Sequence, residues 1–207
     1  MKGCRNTDHM FVLKTLIDKY VEKTSKPLYA CFAVDFKSAF DPVWHQGLLY
    51  KLKAAGVGIK FYNIIQNTCM YSKTEVCVKI DNYRTDFFKS KLGVKQGDNI
   101  SPNFFNLYVN DLPSYFDASC DPVTINKTEI HCLMYADDVV LLSTTDKGIQ
   151  SCFDKFISKF AKDWKMTINK TKMSVFNKGG RLKNINIKYN NSSIKCVQKY
   201  TYLWCCF

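Results

Sequence analysis

Three aspartates stand where carboxylates could hold a divalent cation. Asp35 directly follows the apolar run 28–34, and Asp137-Asp138 joins two further apolar runs. Because like charges a few ångströms apart disfavour one another, three convergent carboxylates need an opposing charge. Hard oxygen ligands without an accompanying His or Cys favour Mg²⁺. Two such ions could activate a 3′-hydroxyl and stabilise a departing pyrophosphate, which is the chemistry of nucleotidyl transfer.

Each aspartate also has an ordinary structural explanation. An isolated Asp-Asp pair is most often a solvated hairpin turn, and Asp35 could end a strand or cap a helix. The apolar segments on both sides of Asp137-Asp138 argue against a purely solvated turn. The three residues taken together therefore favour a metal site.

The strands that must position these aspartates follow from the hydrophobic pattern. Four apolar runs of strand length are predicted strands: 28–34, 130–136, 139–143 and 173–176. Helices fall between the first two and the last two, which is the βαββαβ, ferredoxin-like order of an α+β fold. A right-handed crossover makes the first two strands parallel, so their carboxyl ends share one sheet edge. Asp35 and the Asp137-Asp138 turn are therefore expected at the same edge.

Further elements surround this core. Ser101 is predicted to cap a helix that continues through about Leu112 and is ended by Pro113. Other helices and strands are predicted over 10–23, 45–55, 59–70, 76–88, 153–164, 185–189, 194–197 and 200–207.

Composition restricts the classes of protein. The chain has 207 residues, of which 46% are hydrophobic, and it shows neither an apolar run of membrane-spanning length nor a signal peptide. Ten cysteines without a C-x2-C pair are interpreted as free intracellular thiols, and the paired Cys and His spacing of a zinc knuckle is absent. The net charge is +12, and residues 151–207 hold twelve Lys or Arg against two Asp, which indicates a nucleic-acid partner rather than a membrane.

Several segments, in this order, resemble reverse transcriptases of non-LTR (LINE-type) retrotransposons. The resemblance rests on Cys4-Arg5 with Thr7-Asp8-His9, Ala33 to Asp41 with Val43-Trp44-His45, Gly93 to Gly97 with Ser101-Pro102, Tyr135-Ala136-Asp137-Asp138, Lys170-Thr171-Lys172 and Tyr202-Leu203. It covers nearly the whole chain. It implies an RNA-directed DNA polymerase that uses an RNA template, a DNA primer, dNTP substrates and two Mg²⁺ ions, or Mn²⁺, and that acts in the nucleus.

The resemblance also implies catalytic roles. Asp35 and Asp137 would bridge the two ions, with Asp138 as an accessory ligand. Lys172 would protonate or electrostatically stabilise the leaving pyrophosphate. A solvated lysine is the competing interpretation of Lys172.

Nucleotide contacts follow from the same resemblance. Phe40 would exclude a 2′-hydroxyl and so select dNTP over rNTP, although core packing is the common role of Phe. Phe36, Gln96 and Gly97 would contact the incoming nucleotide or the template base, with a plain turn as the alternative for Gly97. Arg5 would bind phosphate groups.

The resemblance assigns a right-hand polymerase palm to 28–44 and 93–180. Partial fingers are assigned to 1–27 and 45–92, and 181–207 would begin the primer-grip hairpin. The thumb would be absent from a fragment truncated at both ends. Two alternatives stay open: an RNA-dependent RNA polymerase, which would usually avoid a bulky residue at Phe40, and a catalytically inactive nucleic-acid-binding module.

Overall fold

The protein is described by a computed structural model that covers residues 6–33, 39–69, 75–89, 92–95, 97–167, 172–177, 186–189, 192–197, 201–203 and 205–206. The chain divides into two compact units. The sheet unit comprises Met1–Lys37, Leu112–Asp163 and Thr167–Phe207, and the helical unit comprises Ser38–Asp111 and Trp164–Met166. Within the described residues, no helix has both the length and the apolar character needed to cross a membrane.

Most helices lie close to their predicted positions, but the helix predicted over 153–164 begins at Asp146, where Thr145 accepts the Gly148 amide as the N-cap. The helices are α1 (Asn6–Ile17), α2 (His45–Ala54), α3 (Ile59–Ile64), α4 (Ser101–Val109) and α5 (Asp146–Lys155). Three of them continue as wider π-type turns: α1 over Asp18–Lys23, α3 over Ile65–Cys69 and α5 over Phe156–Ala161. Short 3₁₀ turns occur at Leu112–Tyr115 and Ala118–Cys120.

The described strands are mostly short. In chain order they are β1 (Leu28–Ala33), β2 (Glu75–Val76), β3 (Lys79–Ile80), β4 (Tyr83–Arg84), β5 (Phe88–Lys89), β6 (Val123–Ile125), β7 (Thr128–Ile130), β8 (Cys132–Tyr135), β9 (Asp138–Ser143), β10 (Lys172–Phe176), β11 (Lys188–Tyr189), β12 (Ser192–Ser193), β13 (Lys195–Cys196), β14 (Thr201–Tyr202) and β15 (Cys205–Cys206).

Five of these strands form the central sheet of the sheet unit, in the order β13-β10-β1-β9-β8. β1 is antiparallel to both β9 and β10, and β9 is antiparallel to β8. β1 and β8 therefore run in the same direction, as the sequence predicts. The carboxyl ends of β1 and β8 lie at one edge of the sheet, together with the amino ends of β9 and β10.

Helices cover both faces of this sheet. On one face α1 contributes to a core cluster of buried residues: Leu13, Leu16, Val21, Leu28, Ala30, Val123, Leu133, Val140, Leu142 and Leu203. On the other face α5 packs against β1 and β9 and buries Ile149, Cys152 and Phe153. Because β9 is covered on both sides, its residues from Val139 to Ser143 are all buried, which explains its continuous apolar run.

Gly148, in the first turn of α5, touches the end of β9 too closely for a side chain. An added methyl group would lie 2.6 Å from the Cys120 carbonyl oxygen and would overlap the Ser143 hydroxyl. Since the carbonyl cannot move freely, we expect Gly148→Ala to lower the free energy of unfolding by about 3 kcal/mol. Urea denaturation measures this loss. Gly58→Ala is the matched control, because an added methyl group at residue 58 meets nothing within 4 Å. Equal stability of the two variants would contradict this packing.

The helical unit is held together by buried polar contacts. His45 donates from Nε2 to the Gly93 carbonyl oxygen at 2.6 Å. The Tyr108 hydroxyl donates to the Trp164 carbonyl oxygen at 2.5 Å. Lys51, only 7% exposed, donates to the Tyr108 carbonyl oxygen and to Asp111. These contacts connect α2 and α4 to segments distant in sequence.

The structure corrects both predicted ends of α4. Ser101 is not a side-chain cap but the first residue of the helix, because Asp98 already accepts the Ile100 and Ser101 amides, at 3.2 Å each. The helix ends at Val109 rather than near Leu112, and Pro113 lies in a separate 3₁₀ turn. The Tyr108 carbonyl near this end accepts the Lys51 ammonium group, a contact that α-helical periodicity does not predict.

The predicted strand 130–136 is also corrected. Ile130 ends β7, which pairs with β6 in a separate hairpin, and β8 begins only at Cys132. The hairpin turns at Asn126 and Lys127, whose φ angles of 47° and 69° are both left-handed. Two left-handed residues form the tight turn that matches the natural twist of a hairpin. The apolar run therefore belongs to two strands.

Candidate active site

The turn between β8 and β9 lies one residue earlier than predicted. Tyr135 pairs with Asp138, so the two-residue connection is Ala136-Asp137 and Asp138 is already the first residue of β9. The register follows from burial, because Leu133 and Val140 pair on the face that contributes to the core cluster. A slip of one residue would turn these side chains toward the opposite face.

Asp137 and Asp138 therefore occupy different positions in the hairpin. Asp137 is exposed at the tip of the turn, whereas Asp138 is exposed on the strand itself. Since paired residues share a face and neighbours alternate, Asp138 lies on the same face as Tyr135, and Val139 lies on the opposite face. Asp137 is therefore the carboxylate with the greater freedom to approach a ligand beyond the sheet edge.

Ala136 adopts a strained backbone conformation beside Asp137. Its φ of 51° lies in the left-handed region, which costs a residue with a Cβ about 1–2 kcal/mol. Strained residues persist where the surrounding structure determines them, and here the β8–β9 pairing closes directly on Ala136. The position of Asp137 is thus set by the sheet and not by turn preference.

Tyr135 anchors the turn to α1. Its ring meets the His9 ring edge to face, with centroids 5.5 Å apart. Burial lowers the pKa of His9, against the opposing attraction of Asp8, so the imidazole stays neutral near pH 7. Sequence reasoning assigned no role to this pair, because a contact between a helix and a strand so far apart in the chain has no local signal.

The end of β1 lies beside this turn. Ala33 pairs with Val139, the neighbour of Asp138. The strand that leads to Asp35 and the turn that carries Asp137 therefore meet on adjacent strands of one edge.

Lys172 begins β10 at the same edge. Its backbone pairs with Phe32 of β1 on one side and with Lys195 of β13 on the other. Neighbouring strands are about 4.8 Å apart, so the backbone of Lys172 lies about 10 Å from that of β9. A lysine side chain and a bound substrate together can span such a distance. The side chain of Lys172 is not among the described features.

The other predicted site residues divide into two groups. Those outside the described residues are Arg5, Asp35, Phe36 and Gln96. Gly97 and Phe40 are described within the helical unit. Gly97 has a φ of 85° and nothing within 4 Å of an added Cβ, so its backbone conformation, not crowding, favours glycine. Phe40 is half-buried, with its ring centroid 5.6 Å from that of Phe105, which is consistent with a packing role.

The donor set at the turn fits a hard divalent cation. Asp137 and Asp138 supply exposed carboxylate oxygens, which are the ligands that Mg²⁺ and Mn²⁺ prefer. Mg²⁺ is usually held by one or two carboxylates together with substrate phosphates, and this requires an open site such as the exposed turn.

Comparison with known proteins adds independent findings. A model of the family "Reverse transcriptase (RNA-dependent DNA polymerase)" matches residues 4–203. The chain is 27% identical over 202 residues to the RNA-directed DNA polymerase from mobile element jockey of Drosophila melanogaster, covering 92% of this chain and 21% of that protein. It is 30% identical over 160 residues to the retrovirus-related Pol polyprotein from type-2 retrotransposable element R2DM of the same species, covering 74% of this chain and 14% of that protein.

Solved structures show the same fold. A telomerase from Candida Tropicalis, in complex with a fragment of telomeric RNA, matches with a TM-score of 0.60 and 14% identity over 89% of this chain and 33% of that one. An apo telomerase from the same organism matches with a TM-score of 0.57 and 16% identity over 80% of this chain and 34% of that one. At these identities the likeness concerns the fold alone.

Proposed function

Because the chain belongs to the reverse transcriptase (RNA-dependent DNA polymerase) family, we propose that it is the polymerase core of a non-LTR retrotransposon protein. The reaction is attack of a primer 3′-hydroxyl oxygen on the α-phosphorus of a dNTP. A new P–O bond forms, the bond to pyrophosphate breaks, and the 3′-hydroxyl proton is lost. An RNA strand serves as the template. The chain spans about a fifth of the length of the jockey protein. That this chain is active by itself is therefore part of the proposal.

The observation that carries this proposal is the shared edge of the central sheet. The β8–β9 turn, the carboxyl end of β1 and the start of β10 all lie there. Only residue 34 separates Ala33 from Asp35, so chain connectivity limits the distance between the Cα atoms of residues 33 and 35 to about 7.6 Å. This short connection along the chain supports our assignment of Asp35 to the same metal site as Asp137.

Divalent ions, which this family generally uses, supply Lewis-acid activation of the 3′-hydroxyl and charge neutralisation at the phosphates when bound. We assign Asp35 and Asp137 as the residues that would hold two Mg²⁺ ions, or Mn²⁺, with Asp138 as an accessory ligand. Lys172 would protonate the leaving pyrophosphate or stabilise its negative charge electrostatically. Arg5, Phe36, Gln96 and Gly97 keep their proposed roles as phosphate and nucleotide contacts.

The polymerase fold is of the palm type, and we propose that its core is ferredoxin-like. The order β10-β1-β9-β8 supports this, because numbering these strands one to four along the chain gives 4-1-3-2 across the sheet. The palm then comprises 28–44 and 93–180, and the fingers comprise 1–27 and 45–92. Residues 181–207 begin the primer grip.

Primer extension tests the proposed reaction. The purified chain is mixed with a DNA primer annealed to an RNA template, dNTPs and either Mg²⁺ or Mn²⁺, and product length is measured. We expect extension that stops on chelation and resumes when the ion is restored. Binding of the primer–template without extension under every condition would instead favour the inactive nucleic-acid-binding module, in which the basic segment 151–207 would contact phosphate groups.

Phe40→Ala tests sugar selection. If Phe40 blocks a 2′-hydroxyl, its truncation should relax the preference for dNTP over rNTP by about 10- to 200-fold, the usual value of a steric contact in a binding pocket. The ratio of kcat/KM values for matched dNTP and rNTP measures this. Phe40→Tyr keeps the ring and should keep the preference. An unchanged ratio in folded Phe40→Ala would restrict Phe40 to packing against Phe105.

A further inference from the structure

The sheet unit contains a second group of metal-ligating side chains, unrelated to the aspartates. Cys120, His131 and Cys152 each offer one ligand atom, and these atoms all lie within 4.8 Å of one another. Cys120 ends the 3₁₀ turn Ala118–Cys120, His131 stands between β7 and β8, and Cys152 lies on α5. Three separate elements therefore converge on one point.

The surroundings of this cluster suit a bound ion. Cys120 and Cys152 are completely buried, whereas His131 is half-buried and provides a route from solvent. The Nδ1 atom of His131 is buried and has no hydrogen-bond partner among the described residues. A buried polar atom without a partner costs about 1–3 kcal/mol and calls for an explanation. A metal ion that accepted this lone pair would supply one.

The ring of His131 is also held in place. It stacks on Phe116 with centroids 5.8 Å apart and an interplanar angle of 29°. The His131 carbonyl oxygen accepts the Leu142 amide at 2.8 Å, which fixes the backbone against β9. A ligand whose ring and backbone are both held loses little conformational freedom on binding a metal.

The burial of the two sulfur atoms favours a ligand that neutralises both thiolates. Burial raises the pKa of Cys152, while the neighbouring Lys155 ammonium acts in the opposite direction. Lys155 is itself paired with Asp117 and donates to the Ser119 hydroxyl at 2.8 Å. A divalent ion bound by two thiolates would be neutral overall, so it could replace the thiol protons without leaving a net charge in the core.

We propose that Cys120, His131 and Cys152 form a binding site for one thiophilic divalent cation, Zn²⁺, with a water molecule as the fourth ligand. Tetrahedral Zn²⁺ with Zn–S bonds of about 2.3 Å places two sulfurs about 3.8 Å apart, so the ligands need to close by about 1 Å at most. Sulfur ligands select Zn²⁺ against Mg²⁺. This site is thus chemically distinct from the carboxylates at the β8–β9 turn.

The bound ion would tie the base of the β8–β9 hairpin to α5. β8 starts directly after His131 and ends at the Ala136-Asp137 turn, so the site holds the end of β8 opposite the aspartates. Cross-linking three elements stabilises the folded sheet unit but leaves the carboxylates free to bind a different ion. Zn²⁺ should therefore raise the unfolding midpoint of the chain.

Cobalt substitution tests the site in the full chain. After removal of metal by a chelator, one equivalent of Co²⁺ should give the thiolate-to-cobalt charge-transfer absorption, and Zn²⁺ should abolish it by displacement. We expect Cys152→Ser and His131→Gln each to weaken Co²⁺ binding by at least about 100-fold. His131→Gln keeps the test decisive if Cys152→Ser does not fold, because His131 is half-buried.

Two variants control for other ligands. Cys77→Ser removes a free cysteine of the helical unit, and Asp137→Asn removes a carboxylate of the β8–β9 turn. Both should retain the wild-type absorption and affinity. The proposal is overturned by absence of the charge-transfer band at one equivalent, by wild-type affinity in His131→Gln, or by loss of the band in Cys77→Ser.

Discussion

Asp137→Asn is expected to lower the rate of primer extension by about 10³-fold or more, the scale of losing a charge that stabilises a transition state. The substitution keeps the shape of the side chain and removes its charge. Because Asp137 is exposed at the tip of the β8–β9 turn, the free energy of unfolding should change by less than about 0.5 kcal/mol. Single-turnover extension with saturating dNTP measures the loss.

Asp81→Asn is the matched control for this experiment. Asp81 is also an exposed aspartate at a hairpin turn, with a left-handed φ of 52°, but it lies between β3 and β4. Its substitution should leave extension unchanged. A loss of less than tenfold in Asp137→Asn, or an equal loss in both variants, would contradict the assignment of Asp137 as a metal ligand.

Lys51→Ala is expected to lower the free energy of unfolding by about 1–3 kcal/mol, because the buried Tyr108 carbonyl oxygen loses a donor while the Asp111 side chain, 39% exposed, stays solvated. The Lys51 ammonium group pairs with Asp111, donates to the Tyr108 carbonyl oxygen and lies 3.5 Å from the centroid of the Trp164 ring. Alanine removes all three contacts and leaves the Tyr108 carbonyl without this donor. Lys53→Ala, an exposed position of the same helix, should stay within about 0.5 kcal/mol of the wild type in urea denaturation.

The lowered pKa of Lys51 should make the free energy of unfolding depend on pH. Burial lowers the pKa of Lys51 from its ordinary value of 10.5, although Asp111 opposes the shift. Between the lowered pKa and 10.5 the unfolded chain binds more protons than the folded chain, so the free energy of unfolding should rise with pH across this window. Lys51→Met keeps the aliphatic stem and should remove this rise. A rise of equal size in Lys51→Met would show that other groups cause it.

The sequence predicts the central sheet well because its strands carry local signals. β1 and β9 are continuous apolar runs, as expected for strands covered on both faces. The parallel direction of β1 and β8 follows from the right-handed crossover, which needs no knowledge of side-chain contacts. The edge shared by the end of β1 and the β8–β9 turn is therefore available from sequence alone.

The details that the sequence does not predict depend on tertiary contacts. Ala136 adopts a left-handed conformation that an alanine rarely takes, so the turn is placed one residue late when turn preferences alone are used. Near the end of α4, the Tyr108 carbonyl oxygen accepts the Lys51 ammonium group of another helix. Neither effect leaves a trace in local periodicity.

The cluster of Cys120, His131 and Cys152 is another feature that local sequence patterns do not predict. Spacing rules for zinc sites detect ligands that are close in sequence, whereas Cys120, His131 and Cys152 come together only through the packing of α5 on the sheet. Free thiols of the described residues include the cysteines at positions 31, 77, 120, 132, 152 and 196. The sequence pattern does not reveal that Cys120 and Cys152 lie close to His131.

Metal-directed cleavage tests the shared carboxylate site most directly. Fe²⁺ is substituted for Mg²⁺ in the presence of ascorbate and peroxide, so that radicals cut the backbone beside the bound ion, and the fragments are mapped by mass spectrometry. The shared-edge geometry predicts cuts near both residue 35 and residue 137, suppressed together by excess Mg²⁺ and by Asp137→Asn. Cuts near residue 137 without any near residue 35, or a pattern unchanged in Asp137→Asn, would contradict it.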